Sequence, residues 1–379
     1  MKDFYKGKTL DGKTVEVSVE DNFIVDVKEI TTDKILPYIC PPLVDLQHNG
    51  ALGLAYNNMN EHSLEEMKVI ANHIIRNGVG RVMATFTTAP YDLLTRAAEN
   101  IGKVLCNDSF LNRLFCGIFH EGVFISKKAG WRGGHKPEFI IPPDWQKFME
   151  LHNRSGQKVK MVNIAPEEPN ALDFISKAVA KNITVSIGHC CPDNKTVNEA
   201  VARGARMVTH FGNGAAPQIH RFQNPFWSFL ANNELSLGII GDGFHLPPEL
   251  IKAVIACKGT EKCFMVSDAN LYSGCKPGIY KRIGGCDCII EKNGLIHLGQ
   301  KELLAGAWFQ NNKSVEFLIN KVGLQFEDAW RLCSETPANL MGINLPQIKK
   351  GEEASFVLVD FKKNKLEIKQ SVFLGNKYL

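Results

Sequence analysis

From about residue 40 to 320, short apolar runs alternate with longer amphipathic stretches. Eight of the runs read as strands: 43–46, 81–86, 114–119, 159–164, 183–187, 206–210, 235–240 and 264–266. Helix-like stretches lie between them. One spans 63–77, where Ser63 stands three residues before Glu66, the spacing of a capping box. Others span 192–203, stopped by Gly204, and 247–257. Eight strand–helix repeats predict an α/β chain built on a (β/α)8 TIM-like barrel over residues 41–344. In such a barrel the interior is filled by apolar side chains, and functional groups gather at the strand C-termini.

The two ends of the chain carry another pattern. Residues 8–30 hold an Asp11-Gly12 turn signal between short alternating runs, and residues 351–379 alternate in the same way through 354–360 and 366–368. These ends, 1–40 and 345–379, are expected to form one small β-sandwich domain beside the barrel.

Against that frame, four residues stand out because each ends an apolar run: Glu121, His189, His210 and Asp268. They fall at the ends of the third, fifth, sixth and eighth candidate strands, so a barrel would bring them to one mouth. Two imidazoles and a carboxylate are a normal set for a catalytic zinc that keeps an open position for water. The remaining carboxylate is then available as a general acid/base. Each residue also has a blander reading. A histidine is more often a satisfied core residue than a ligand, Glu121 reads equally as a solvated loop carboxylate, and Asp268 as the N-cap of a helix after the eighth strand. The four together are far more specific than any one.

Composition narrows the class. With 379 residues, 44% hydrophobic and 22% charged, the chain is an ordinary globular protein able to bury a large core. Its net charge of +4 comes without a basic run, which argues against a nucleic-acid partner. The segment 1–6 lacks the apolar core of a signal peptide, and no run approaches the ~18 apolar residues of a membrane span. A cytoplasmic protein with no membrane association is the expectation. Eleven cysteines, among them the adjacent Cys190 and Cys191 and the near pair Cys286 and Cys288, match neither a disulfide framework nor a zinc–thiolate spacing. Buried free thiols are expected instead.

Over nearly its whole length the chain resembles the N-acetylglucosamine-6-phosphate deacetylases of the amidohydrolase superfamily. Pro42-Leu43-Val44-Asp45-Leu46-Gln47-His48-Asn49-Gly50 is similar to their first-strand segment, where Gln and Asn replace the two histidines that hold a second metal in other amidohydrolases. The resemblance therefore implies a single metal. Glu121-Gly122 matches the family's His-Leu-Glu-Gly-Pro motif, although Phe119-His120-Glu121-Gly122-Val123 lacks its proline and carries its histidine one position away. Gly188-His189 and Thr209-His210 match the two histidine ligands, and Ser267-Asp268-Ala269 stands where the family has Thr-Asp-Ala.

What the resemblance implies is one divalent ion, zinc first with ferrous iron or another ion also acceptable, held by Glu121, His189 and His210. Asp268 becomes the catalytic acid/base, and His135, after Gly134, polarises the acetamide carbonyl. Asn213, Gly214, Asp242, His245, Leu304, Ala305 and Gly306 resemble residues that line the sugar pocket, and Arg221 and His245 resemble phosphate contacts, the histidine reaching across a homodimer. The expected reaction is hydrolysis of the N-acetyl group of an amino-sugar phosphate, N-acetylglucosamine-6-phosphate by resemblance. After Arg221 the family continues Glu-Pro-Gly, whereas this chain reads Phe222-Gln223-Asn224-Pro225-Phe226-Trp227. That loop leaves open a different or unphosphorylated N-acetyl amino sugar, and equally a packing role for Phe226 and Trp227. The altered glutamate motif leaves open a non-catalytic paralogue on the same barrel.

Overall fold

All eight expected barrel strands form, in a computed structural model that describes residues 2–281 and 286–379. They are β1 (Leu43–His48), β2 (Val79–Phe86), β3 (Phe115–His120), β4 (Val159–Ile164), β5 (Thr184–Ile187), β6 (Met207–Val208), β7 (Ser236–Ile240) and β8 (Cys263–Val266). Each pairs in parallel with the next in chain order. The ring is drawn together where β8 returns to β1: the Asp268 N–H donates to the Gln47 carbonyl and the Asn49 N–H to the Ala269 carbonyl, both at 2.9 Å. Those bonds lie just past the strand ends, so barrel closure fixes the backbone that carries Asp268.

Val44, Leu46, Met83, Phe119, Met161, Met207, Ile240, Phe264 and Val266 fill the barrel interior as one buried cluster. In β8, Phe264 and Val266 belong to that cluster while Cys263 and Met265 join the larger core beneath the helices, as the period of two along a strand requires. The helices appear at Ser63–Arg76, Asn194–Ala202 and Pro248–Lys258, near their expected places. The capping box does not. Ser63 is already helical, and His62 occupies the cap position without a side-chain bond. Asp193 instead caps the helix it precedes, accepting from the Thr196 N–H at 2.8 Å.

Two features depart from the expected pattern. β6 is only two residues long, because the chain leaves the sheet at Thr209 and turns at His210. Between β8 and the helix Asn311–Phe317 lies an antiparallel sheet of Gly278–Tyr280, Cys288–Ile290, Ile296–Leu298 and Gln300–Leu304, with a small core of Cys288, Ile290, Ile296 and Leu298.

A separate seven-stranded sheet is built from both termini. The strand Tyr38–Cys40 joins the two ends, pairing in parallel with Lys8 on one side and antiparallel with Val357, Leu358 and Val359 on the other. The Asp11-Gly12 turn connects Lys2–Lys8 to Thr14–Glu20 as expected, with Gly12 at φ +88°. Among the described residues no helix is long and apolar enough to cross a membrane.

Candidate metal centre and active site

Glu121 follows β3, His189 follows β5, and His210 lies two residues past β6. All three side chains are buried, and one ligand atom from each lies within 4.8 Å of the other two. The His210 Nε2 is 3.0 Å from Glu121 Oε1 and 3.0 Å from His189 Nε2, and the His189 Nε2 is 3.5 Å from the same carboxylate oxygen. The His189 Nδ1 sits 3.0 Å from the Trp131 carbonyl oxygen. A carbonyl only accepts, so Nδ1 carries the proton and the Nε2 lone pair faces inward. That is how a metal-ligating histidine is held by its outer neighbour. Three electron-rich atoms thus converge, and the donor set fits a divalent ion.

Burial disfavours charge on all three groups. The Glu121 carboxyl is nevertheless held well below its ordinary range by hydrogen bonds to His189 and His210. Burial lowers His189, whereas at His210 the hydrogen bond and charge of Glu121 outweigh burial and raise it. The pair therefore favours a proton on His210 beside the carboxylate, or a cation in its place.

Asp268 ends the apolar run of β8 but caps no helix; its backbone is left-handed, with φ +48°. Both side-chain hydrogen bonds among the described residues end on Oδ1, from Gln47 Nε2 at 3.2 Å and Asn49 Nδ2 at 2.8 Å. Burial, then the nearby charge of Glu121, pushes its carboxyl up to about 6. Gln47 Nε2 also donates to Glu121 Oε1 at 2.9 Å.

His135 lies beside this cluster, its ring centroid 4.5 Å from that of His189. Its Nδ1 is 2.6 Å from the Thr88 hydroxyl, and the Thr88 N–H donates to the same nitrogen at 3.4 Å. Nδ1 is thereby the acceptor and Nε2 the protonated nitrogen. Gly214 packs against the His189 ring, and Gly306 backs onto the Asp268 carbonyl; added Cβ atoms would approach these to 2.4 and 2.5 Å. Gly134 lies near Leu298 of the inserted sheet, which also carries Leu304 and leads into Ala305. The Asn213 N–H donates to the His210 carbonyl at 2.9 Å.

Asp242 and His245 form a pair of their own, 2.7 Å apart, with the carboxylate also accepting from the Phe244 and His245 N–H groups. Arg221 is not drawn into the buried cluster. Its guanidinium lies over the exposed Phe222 ring, 5.0 Å away, and its carbonyl accepts from Trp227 Nε1 at 2.8 Å. Of the aromatic loop, Phe226 packs inward against Trp131, Phe211 and Phe229, while Phe222 and Trp227 are exposed.

Several neighbours of these side chains have little signature in the sequence. Asn163 at the end of β4 donates to the Glu121 and Gly188 carbonyls, both at 3.2 Å, and accepts from Thr209 Oγ1 at 2.9 Å. Thr209 meets Ser186 at 2.7 Å, so one buried polar chain ties β3 to β6 beneath Glu121, His189 and His210. Asn163 carries a signal, as the buried polar residue near the end of a strand whose other polar residue, Lys160, is exposed. Thr88 and the Trp131 carbonyl carry none.

A parallel eight-stranded barrel with a buried Glu/His/His group and a free carboxylate at its C-terminal mouth is the frame of a metal-dependent hydrolase. Known proteins are similar to the chain over most of its length. The chain is 27% identical to the N-acetylglucosamine-6-phosphate deacetylase of Bacillus subtilis (strain 168) over 356 residues, covering 92% of this chain and 87% of that one. It is 24% identical over 350 residues to an N-acetylgalactosamine-6-phosphate deacetylase of Escherichia coli O157:H7, covering 91% and 90%. The crystal structure of the Thermotoga maritima N-acetylglucosamine-6-phosphate deacetylase superposes with a TM-score of 0.86 at 22% identity, covering 100% of this chain and 99% of that one. No protein-family model matches the chain. The likeness to these deacetylases read from the motifs holds over most of the length.

Proposed function

We propose that this protein is a metal-dependent deacetylase of N-acetyl amino-sugar 6-phosphates, with N-acetylglucosamine-6-phosphate as its substrate and glucosamine-6-phosphate and acetate as products. The observation that carries the reading is the meeting of Glu121, His189 and His210 with the Asp268 carboxylate at the barrel mouth. Glu121, His189 and His210 would hold one divalent ion, zinc first, which when bound lends Lewis acidity to a water and to the amide carbonyl. Asp268, with Oδ1 occupied by two amides, has Oδ2 to take the proton from the attacking water and pass it to the departing nitrogen. His135, protonated on Nε2, donates to the carbonyl oxygen as charge builds there. Gly134, Asn213, Gly214, Asp242, His245 and the 304–306 segment surround the sugar, and Arg221 and His245 take the phosphate.

The same reading divides the chain into a catalytic barrel over 41–344 and an accessory β-domain from 1–40 and 345–379. It makes the enzyme a cytoplasmic homodimer, in keeping with eleven free cysteines among the described residues. Another N-acetyl amino sugar, with a different phosphate or none, is the second reading: the loop after Arg221 reads Phe222-Gln223-Asn224-Pro225-Phe226-Trp227 instead of the family's Glu-Pro-Gly, and one relative acts on the galactosamine epimer.

One comparison tests both. Acetate release should be fastest from N-acetylglucosamine-6-phosphate. The unphosphorylated sugar should lose at least tenfold in kcat/KM, since a phosphate contact contributes several kcal/mol to transition-state binding, and the galactosamine epimer, which keeps the phosphate, should be slower through its ring contacts alone. Asp268→Asn should fold and bind metal yet fall by about 10²-fold or more in kcat, the usual size of a lost general base. Full activity in that variant would remove Asp268 from the reaction, and equal rates with and without phosphate would remove Arg221 from its role.

A further inference from the structure

At the end of β1, two primary amides give their hydrogens to the carboxylates of the site. Gln47 Nε2 donates to Glu121 Oε1 at 2.9 Å and to Asp268 Oδ1 at 3.2 Å, and Asn49 Nδ2 donates to Asp268 Oδ1 at 2.8 Å. An amide nitrogen has two hydrogens, so Gln47 uses one on each carboxylate. Main-chain bonds hold the two segments in register: the Asp268 N–H to the Gln47 carbonyl and the Asn49 N–H to the Ala269 carbonyl, both at 2.9 Å. The donors therefore cannot drift relative to their acceptor without opening the β1–β8 seam.

Asp268 has one side-chain torsion beyond Cβ, and two donors converging on a single oxygen fix it. With Oδ1 saturated, the direction of Oδ2 is set by geometry rather than by the substrate. We propose that Gln47 and Asn49 are positioning residues for the reaction proposed above, clamping Asp268 by Oδ1 so that Oδ2 is the atom that moves the proton. Gln47 has a second duty, because it alone also orients the Glu121 carboxylate among the metal ligands. Neutral donors suit both tasks, since they hold two like-charged groups side by side without taking either one's place at the metal. The inference rests on the deacetylase reading.

The divided duties give the two residues different signatures. Asn49→Leu, nearly the same shape without the donor, should lower kcat by about 10- to 100-fold while KM and bound-metal stoichiometry stay within twofold of the parent. Gln47→Leu should lower kcat by a similar factor and also speed the loss of metal to a chelator by about tenfold or more. Where the leucine variant of Asn49 fails to fold, Asn49→Asp keeps the shape and is expected to show the same loss of kcat with KM unchanged. A folded Asn49 variant that keeps kcat within twofold of the parent overturns the inference alone, as does one whose loss lies in KM or in metal content. A parent enzyme that retains metal but releases no acetate from any N-acetyl amino-sugar phosphate overturns the deacetylase reading and this inference with it.

Discussion

Three of the site's four central residues hold backbone conformations that L-amino acids avoid. His189, His210 and Asp268 have φ of 49°, 30° and 48°, where a non-glycine residue costs on the order of 1 kcal/mol or more. Each is held there by a main-chain bond to its own carbonyl, from the N–H of Ser126, Asn213 and Ala307 respectively, at 2.9 Å in every case. The sharp turn at the strand end aims the side chain into the mouth instead of along the sheet. Glycines complete the arrangement by leaving room: at Gly214, φ +58°, a Cβ would sit 2.4 Å from the His189 Nδ1 that bonds Trp131. Gly214→Ala should therefore displace the His189 ring and weaken metal binding by about 10- to 100-fold, with a smaller fall in melting temperature. A metal titration that gave the parent's affinity would show that the ring tolerates the methyl. At this level the chemistry of the site was readable, because carboxylate and imidazole side chains announce themselves at the ends of apolar runs. The Trp131 carbonyl and the left-handed turns were not, since main-chain acceptors and φ angles leave no mark on residue type.

Strand and helix pattern was readable for the same kind of reason. Eight apolar runs gave eight strands because a buried parallel strand needs apolar side chains on both faces. The antiparallel sheet at 278–304 leaves little pattern in the sequence, because its strands are three to five residues long and three of them add only two buried side chains or fewer apiece to its small core. The seam between β1 and β8 holds a titratable device of its own. Asp45 on β1 is fully buried, and burial pushes its carboxyl up to about 7 despite hydrogen bonds from Ser267 and the Gln47 N–H. A carboxyl whose folded value lies above its unfolded value adds stability that is complete below the unfolded 3.8 and is lost as pH rises through about 7. Urea unfolding of the parent should show this contribution falling between about pH 4 and pH 7, and Asp45→Asn, permanently neutral, should show a flatter profile over that window. Parallel profiles for the two proteins would contradict a buried, raised Asp45.

The molecule is tied together by contacts between distant parts of the chain. Arg81 of β2, almost wholly buried, pairs at 3.2 Å with Glu353, which leads into the last strands of the terminal sheet, and Arg113 pairs with the same carboxylate. Burial works against the charge of Glu353, but Ser355, Arg81 and Arg113 together hold its carboxyl below the ordinary 4.5. A lowered carboxyl contributes stability that is present above 4.5 and lost as pH falls through the folded value. Glu353→Gln leaves Arg81 buried without its counter-charge and should destabilise the protein by about 3 kcal/mol at pH 7, with the deficit shrinking below pH 4. Chemical denaturation across that range would reveal it, and a loss under 1 kcal/mol would mean water reaches Arg81. Phe373 continues the junction, its ring 5.1 Å from Phe110 and edge-on to it. The two β-rich ends were visible from their alternation and the Asp11-Gly12 turn, but their joining through Tyr38–Cys40 depends on pairing between residues more than three hundred positions apart.

Local order along the chain was enough to specify a (β/α)8 barrel, two β-rich ends, and the four polar residues Glu121, His189, His210 and Asp268 as candidates for a hydrolytic metal site. Periodicity and residue chemistry are local properties, and each of these conclusions follows from them or from motifs a few residues long. Folding alone supplied the rest: the seam that sets Gln47 and Asn49 against Asp268, the Thr88 contact that fixes the proton of His135, the Asn163 chain beneath Glu121, His189 and His210, and the separation of Arg221 from the buried cluster. Each is a relation between segments distant in sequence, decided by which strand ends meet when the barrel closes, and no single segment carries that information.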